Sequence, residues 1–341
     1  MFPKVVDEHS AVAINSAIFN AKQIVITCHV APDGDAIGSS LALWHVLKQM
    51  GKNVVIITPD QTPVSLQFLP NFDEIKSYSC DNILCNSIFA SADLIFCLDF
   101  NALSRVDKMG KVLQEASAIK VLIDHHLYPE DFASIIISHP QISSTCLLLL
   151  FVLSQLDLLE HINQEAAECI YTGMMTDTGN FTYNSEDVNI YIAIAELIKK
   201  GIRKEYIYKK LYNTNSEERL KLCGYSLGKK MTIYPEHHAA LIYLNKQELE
   251  QFNYKKGDTE GLVNIPLSIP GVVYSAFLRE DEEYVKVSMR SVGDFPVNLL
   301  CENYFNGGGH KNAAGGEFMG SITEAVDLFI SLLKENDKYL N

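Results

Sequence analysis

Residues 23–50, QIVITCHVAPDGDAIGSSLALWHVLKQM, decide the fold. Their first six positions, 23–28, form an apolar and β-branched run with no polar alternation, which predicts a strand buried on both faces. A short acidic turn follows, HVAPDGD at 29–35, and 35–50 then carries apolar residues at helical spacing. The same alternation recurs downstream. Runs at 53–58 (NVVIIT), 93–98 (DLIFCL), 120–123 (KVLI) and 134–138 (SIIIS) predict further strands. Helical patterns fill 143–156 and 163–175. Strands that are apolar throughout and separated by helices imply an α/β domain with a doubly wound parallel sheet.

Beyond residue 186 the character changes. The stretch 187–222 is helical in period and carries Lys199, Lys200, Arg203, Lys204, Lys209, Lys210, Arg219 and Lys221. It reads as a helical connector whose charges are either a solvated face or a basic wall on a cleft. Alternating segments at 239–244, 272–278 and 284–290, with a closing helix at 322–334, predict a smaller C-terminal α/β domain with a mixed sheet. The expected domains are thus 1–186, 187–222 and 223–341, with the active site in the cleft between the first and the last.

Composition narrows the function. With 42 acidic and 28 basic residues the net charge is −14, against a protein that grips long nucleic acid through many phosphate contacts. A small phosphorylated substrate stays open, because bound cations supply a local positive field. The eight cysteines form no CxxC pair, so they read as reduced thiols rather than a disulfide or zinc framework. The longest apolar run, 146–153, is too short to span a bilayer, and the first residues lack a secretory apolar core. A soluble cytoplasmic protein is expected.

Chemistry-bearing residues sit where elements end. HVAPDGD follows the first strand, Asp99 follows the third, DHH at 124–126 follows the fourth, and TDTG at 176–179 ends a helix. Open α/β sheets gather ligands at the carboxyl ends of their strands, which brings Asp33, Asp35, Asp99, Asp124 and Asp177 into one crevice. Each carboxylate pair ~4 Å apart costs roughly 4 kcal/mol at an effective dielectric of about 20. Cations remove that conflict, and the set His29, Asp33, Asp35, Asp99, His125 and Asp177 exceeds what one open site needs. Carboxylates and imidazoles without thiolate suit Mn²⁺ first, with Mg²⁺ or Co²⁺ acceptable. An isolated Asp33 or Asp35 would equally well be a helix cap.

The tail carries a second pattern. Gly307, Gly308 and Gly309 allow close backbone approach, so their N–H groups can cradle phosphate oxygens. Arg290, Ser291 and His310 lie beside them in sequence and add donors, and Arg105 could reach another phosphate. A glycine run by itself is more often a flexible turn.

HVAPDGDAIGS, the Asp of FCLDF, IDHH and MTDTGNFTY resemble, in order, the four motifs of the DHH phosphoesterase superfamily, which includes RecJ exonucleases, family II pyrophosphatases and nanoRNases. The tail SMRSVGDFPVNLLCENYFNGGGHKNAAGG resembles the associated C-terminal domain, whose GGGH loop faces the metal centre. The length is most similar to the oligoribonuclease/pAp-phosphatase, NrnA-type branch. The resemblance implies His29 and Asp33 on one metal, and Asp35, His125 and Asp177 on the other. Asp99 would bridge them, His126 would face substrate and Asp124 would orient the site. Gly308, Gly309, His310, Arg290, Ser291 and Arg105 would meet substrate. The implied activity is Mn²⁺-dependent hydrolysis of oligoribonucleotides of about two to five residues to mononucleotides, and dephosphorylation of 3′-phosphoadenosine 5′-phosphate (pAp) to AMP. Substrates would be short RNA or DNA or nucleotide bisphosphates, with no membrane partner and homodimerisation left open. Alternatives are a cyclic or linear dinucleotide phosphodiesterase and a non-catalytic nucleotide-binding module.

Overall fold

The opening run forms strand β1 (Ile24–Thr27), all of it buried. The computed structural model describes residues 2–340, in two compact units that divide in sequence between Asn213 and Thr214. In the first unit β1 is joined by β2 (Val54–Thr58), β3 (Ile75–Ser77), β4 (Leu94–Leu98), β5 (Ile119–Asp124) and β6 (Ile135–Ser138). All pair parallel in the order β3-β2-β1-β4-β5-β6. The helices are α1 (Glu8–Asn20), α2 (Gly34–Gln49), α3 (Asn82–Ser91), α4 (Met109–Glu115), α5 (Thr145–Gln155), α6 (Gln164–Asp177), α7 (Val188–Lys199) and α8 (Lys204–Tyr212).

Side-chain alternation along the strands explains why both faces are covered. Ile24 and Ile26 pack with Leu41, Leu148 and Ile170 of α2, α5 and α6, whereas Val25 packs with Phe89 and Leu113 of α3 and α4. The strand order reverses between β1 and β4, which is where such sheets open a crevice for ligands. The basic helical stretch is shared out: α7 and α8 bury Ile190, Ala193, Leu197 and Ile207 in the first unit's core. Glu168 of α6 accepts from the Nε (2.7 Å), Nη2 (2.7 Å) and backbone N–H (3.0 Å) of Arg203, which ties α6 to the start of α8.

The second unit holds α9 (Glu217–Tyr225), β7 (Met231–Tyr234), β8 (Ala239–Leu244), α10 (Lys246–Gln251), β9 (Tyr274–Glu280), β10 (Val285–Ser291), α11 (Val297–Tyr304), β11 (Gly307–His310), β12 (Ala313–Phe318) and α12 (Ile322–Asn336). Its sheet runs β11-β12-β10-β9-β8-β7 and is mixed, β8 and β9 being parallel and the other neighbours antiparallel. Along β10, Val285, Val287 and Met289 enter a core with Leu300 and Phe329, leaving Lys286, Ser288 and Arg290 on the opposite face. The GGGH stretch, expected as a loop, is instead edge strand β11. Its glycines are needed for strand packing: a Cβ on Gly307 would overlap the Gly315 carbonyl. A Cβ on Gly309, at φ +143°, would stand 2.6 Å from the Ala313 oxygen. No helix among the described residues is long and apolar enough to cross a membrane.

Candidate metal centre

The register of the sheet brings the first two motifs together. Thr27 pairs with Cys97 across β1 and β4, so His29 and Asp99 leave their strands at the same height. Leu98 pairs with Ile123, so Asp124 leaves β5 beside Asp99. His29 Nε2 lies 3.4 Å from Asp99 Oδ2 and 3.9 Å from Asp33 Oδ1. His125 Nε2 lies 3.3 Å from Asp177 Oδ2, 3.6 Å from Asp99 Oδ1 and 4.0 Å from Asp35 Oδ2. Two triads result, His29–Asp33–Asp99 and Asp35–His125–Asp177, each with one ligand atom per residue within 4.8 Å of the others. Asp99 with His125 and His126 forms a third, overlapping group.

Backbone and neighbours aim each donor. The Nδ1–H groups of His29 and His125 donate to the carbonyls of Val30 (2.8 Å) and Ile142 (3.1 Å). That fixes the tautomer and leaves each Nε2 lone pair for a cation. Asp99 sits at φ +64°, a conformation an Asp tolerates better than most side chains. Asp33 does cap α2, its Oδ1 accepting from the N–H groups of Asp35 (3.0 Å) and Ala36 (3.1 Å). A carboxylate has lone pairs left after such a cap. His126 borders the cluster, its Nδ1 bonding Asp124 Oδ1 at 2.7 Å and lying 3.8 Å from Asp99 Oδ1, which leaves Nε2 as its remaining ring nitrogen.

Asp35 is buried on the first turn of α2 and is gripped by the start of α5. Its Oδ2 accepts from the Thr145 N–H (2.6 Å) and its Oδ1 from the Cys146 N–H (2.9 Å). This seat requires α6 to pass without a side chain at Gly173, where a Cβ would stand 2.7 Å from Asp35 Oδ1 and overlap the Cys146 sulfur. Gly173→Ala is therefore expected to destabilise the protein by about 1–3 kcal/mol and to weaken cation binding at Asp35. Thermal melts with and without Mn²⁺ read both effects, and an unchanged Mn²⁺-induced rise would show that the seat tolerates the methyl group.

The electrostatics are those of crowded acids. Burial, then the Asp99 charge, pushes Asp35 up to about 7. Burial, then Asp35, pushes Asp177 up to about 7. Asp99 is driven well above the carboxylate range by burial and by Asp33. For His125 burial disfavours the cation, but Asp35, Asp99 and Asp177 outweigh it and raise its pKa. Such a set accepts either protons or divalent cations. The donors, hard oxygens with oriented imidazoles, fit the latter.

The expected substrate residues are placed differently. Arg105 is exposed in a turn whose carbonyl receives the Val30 N–H at 2.7 Å. In the second unit Arg290 and Gly308 line an open groove of about 710 Å³ with Lys286, Ser288, Gly315 and Glu317. Arg290 and His310 both pair with Ala313, one from each side. Gly309 is held by its close approach to β12. Ser291 departs from the expectation of a substrate contact. It is buried, its hydroxyl donating to Phe295 O (2.7 Å) and accepting from Asn312 (2.9 Å).

Comparison with known proteins decides the family. The pattern of the DHH family, N-terminal domain, matches residues 23–174, and that of the DHHA1 domain matches 239–336. The bifunctional oligoribonuclease and PAP phosphatase NrnA of Thermus thermophilus is 30% identical over 92% of this chain and 89% of that protein. The chain belongs to the DHH family. The family's chemistry makes it a hydrolytic phosphoesterase. An exopolyphosphatase-related protein from Bacteroides fragilis superposes with a TM-score of 0.92, 49% identity and 99% coverage of both chains. The cyclic-di-AMP phosphodiesterase GdpP of Bacillus subtilis is 27% identical over 92% of this chain and 48% of that protein.

Within this DHH protein one functional residue escaped the sequence reading. Thr145 holds Asp35 through its N–H and Asp99 through its hydroxyl, which donates to Asp99 Oδ1 at 2.9 Å. The only signal was a Ser-Ser-Thr cluster opening an apolar helical run, the mark of an N-terminus rather than of a ligand clamp.

Proposed function

We propose that the protein hydrolyses oligoribonucleotides of about two to five residues to mononucleotides and removes the terminal phosphate of pAp, with two divalent cations, Mn²⁺ preferred. The observation that carries this reading is the pair of ligand triads linked through Asp99, which belongs to the first and lies 3.6 Å from His125 of the second, with an Asp124–His126 pair beside them. His29 and Asp33 would hold one cation, Asp35, His125 and Asp177 the other, and Asp99 both. Bound there, the cations would lower the pKa of a water and neutralise the phosphoryl oxygens. Asp124 fixes the ring of His126, so that Nε2 can carry a proton to the leaving oxygen. Arg290, Gly308 and His310 would receive the remaining phosphates, and Arg105 a further one. A chain with this acidic balance offers no long cationic track, so activity should fall as the strand lengthens.

Similarity to GdpP favours a second reading, a cyclic or linear dinucleotide phosphodiesterase. A Mn²⁺-dependent time course separates them, with labelled five-nucleotide RNA, a 24-nucleotide RNA, pAp, a cyclic dinucleotide and polyphosphate in parallel. The expected result is stepwise release of mononucleotides from the short RNA and conversion of pAp to AMP. Faster consumption of the long RNA, or turnover confined to the cyclic dinucleotide or polyphosphate, would overturn the assignment.

A further inference from the structure

The chain after Asp177 takes an unusual course. Thr178 caps α6, and Gly179 (φ +53°) closes it with a Schellman pair of bonds, Gly179 N–H to Thr176 O (3.2 Å) and Asn180 N–H to Met175 O (2.7 Å). The backbone then stays left-handed through Asn180 (φ +59°) and Phe181 (φ +62°). Left-handed residues normally occur singly, and a bulky aromatic there is strained. The surroundings impose the strain. Thr178 Oγ accepts from the Phe181 N–H (3.0 Å), and Thr178 O accepts from the N–H groups of Thr182 (2.9 Å) and Tyr183 (3.2 Å). The Phe181 ring packs on Tyr171 with centroids 5.8 Å apart.

What this turn places is Tyr183. Its phenol ring lies against Gly179, in the space a Cβ there would occupy, two residues from Asp177. The residue is nevertheless 55% exposed. Strained backbone thus holds an aromatic ring on Gly179, close to the candidate ligand Asp177, with more than half of the residue left in solvent. Strain of this kind persists where function requires it.

We propose that Tyr183 is a nucleobase platform: its exposed ring stacks on the base of the nucleotide whose phosphate is held by the Asp35–His125–Asp177 side of the centre. This rests on the nucleotide reading above and deepens it, giving the first unit its own base contact. Stacking accepts every base, which suits an enzyme that degrades RNA without regard to sequence.

The test is calorimetric binding of AMP and of ribose 5-phosphate to the Mn²⁺-loaded full chain, in wild type, Tyr183→Phe and Tyr183→Ala. Wild type and Tyr183→Phe should bind AMP about tenfold or more tighter than ribose 5-phosphate, and Tyr183→Ala should bind the two alike. In kinetics Tyr183→Ala should raise KM for a dinucleotide by a similar factor, with KM for its abasic counterpart unmoved. An AMP preference that survives in Tyr183→Ala, or is lost equally in Tyr183→Phe, overturns the platform, as does a wild type with no preference. Thermal melts establish that each variant is folded. A Tyr183-dependent AMP preference in a protein that cleaves neither oligonucleotide nor pAp would instead overturn the substrate assignment alone.

Discussion

Asp99→Ala is expected to lower kcat by roughly a thousandfold or more, because the carboxylate that links the two triads is lost and the cations contribute several kcal/mol to the transition state. The folded protein should not suffer in parallel. Asp99 is buried among Asp33, Asp35 and Asp177 and driven far above its ordinary pKa, so in the absence of cations it is a burden on the fold. Asp99→Asn keeps its shape and the bond from Thr145, and should melt higher than wild type when both are chelated. Kinetics with a dinucleotide, metal analysis and melts in chelator read the three effects. An Asp99→Ala enzyme that retains kcat within about tenfold and carries both ions would remove the bridging role.

Stripping divalent cations should abolish hydrolysis and also reverse the response of stability to pH. In the free protein Asp35 and Asp177 titrate near 7, against 3.8 ordinarily. Each therefore keeps a proton in the folded state that the unfolded chain has released, and the stability this gives is lost as pH rises through the folded value. His125, raised above its ordinary 6.5, acts in the same direction. The melting temperature of the chelated protein should fall from about pH 5 to about pH 8. With Mn²⁺ it should rise over that window, because the ion binds the deprotonated ligands. A flat profile in chelator would mean the carboxylates are not crowded as the structure has them.

Much of the first unit is legible in the sequence. The runs at 23–28, 53–58, 93–98, 120–123 and 134–138 are apolar on both faces, a pattern few other environments require, and β1, β2, β4, β5 and β6 occupy them. The edge strand β3 (Ile75–Ser77) was not read, because it is short and half exposed. Nor was α3 (Asn82–Ser91), which buries only Cys85 and Phe89. The candidate ligands stood out because polar residues at the ends of apolar strands have few other uses. Thr145 and the left-handed turn before Tyr183 did not: their roles depend on what the fold packs against them. The GGGH stretch misled for a related reason, since a glycine that permits a loop and one that permits close strand pairing look alike in sequence.

The equal height at which β1 and β4 release His29 and Asp99 makes the gene unequally tolerant of small deletions. Losing one codon inside Ile24–Thr27 or Leu94–Leu98 draws the ligand back by about 3.3 Å and turns the residues beyond it to the opposite side of the sheet. The largely exposed turn at 61–65, between β2 and the edge strand β3, carries no such constraint. Length variation among related genes should therefore collect there, while these two strands keep a fixed count whatever residues fill them.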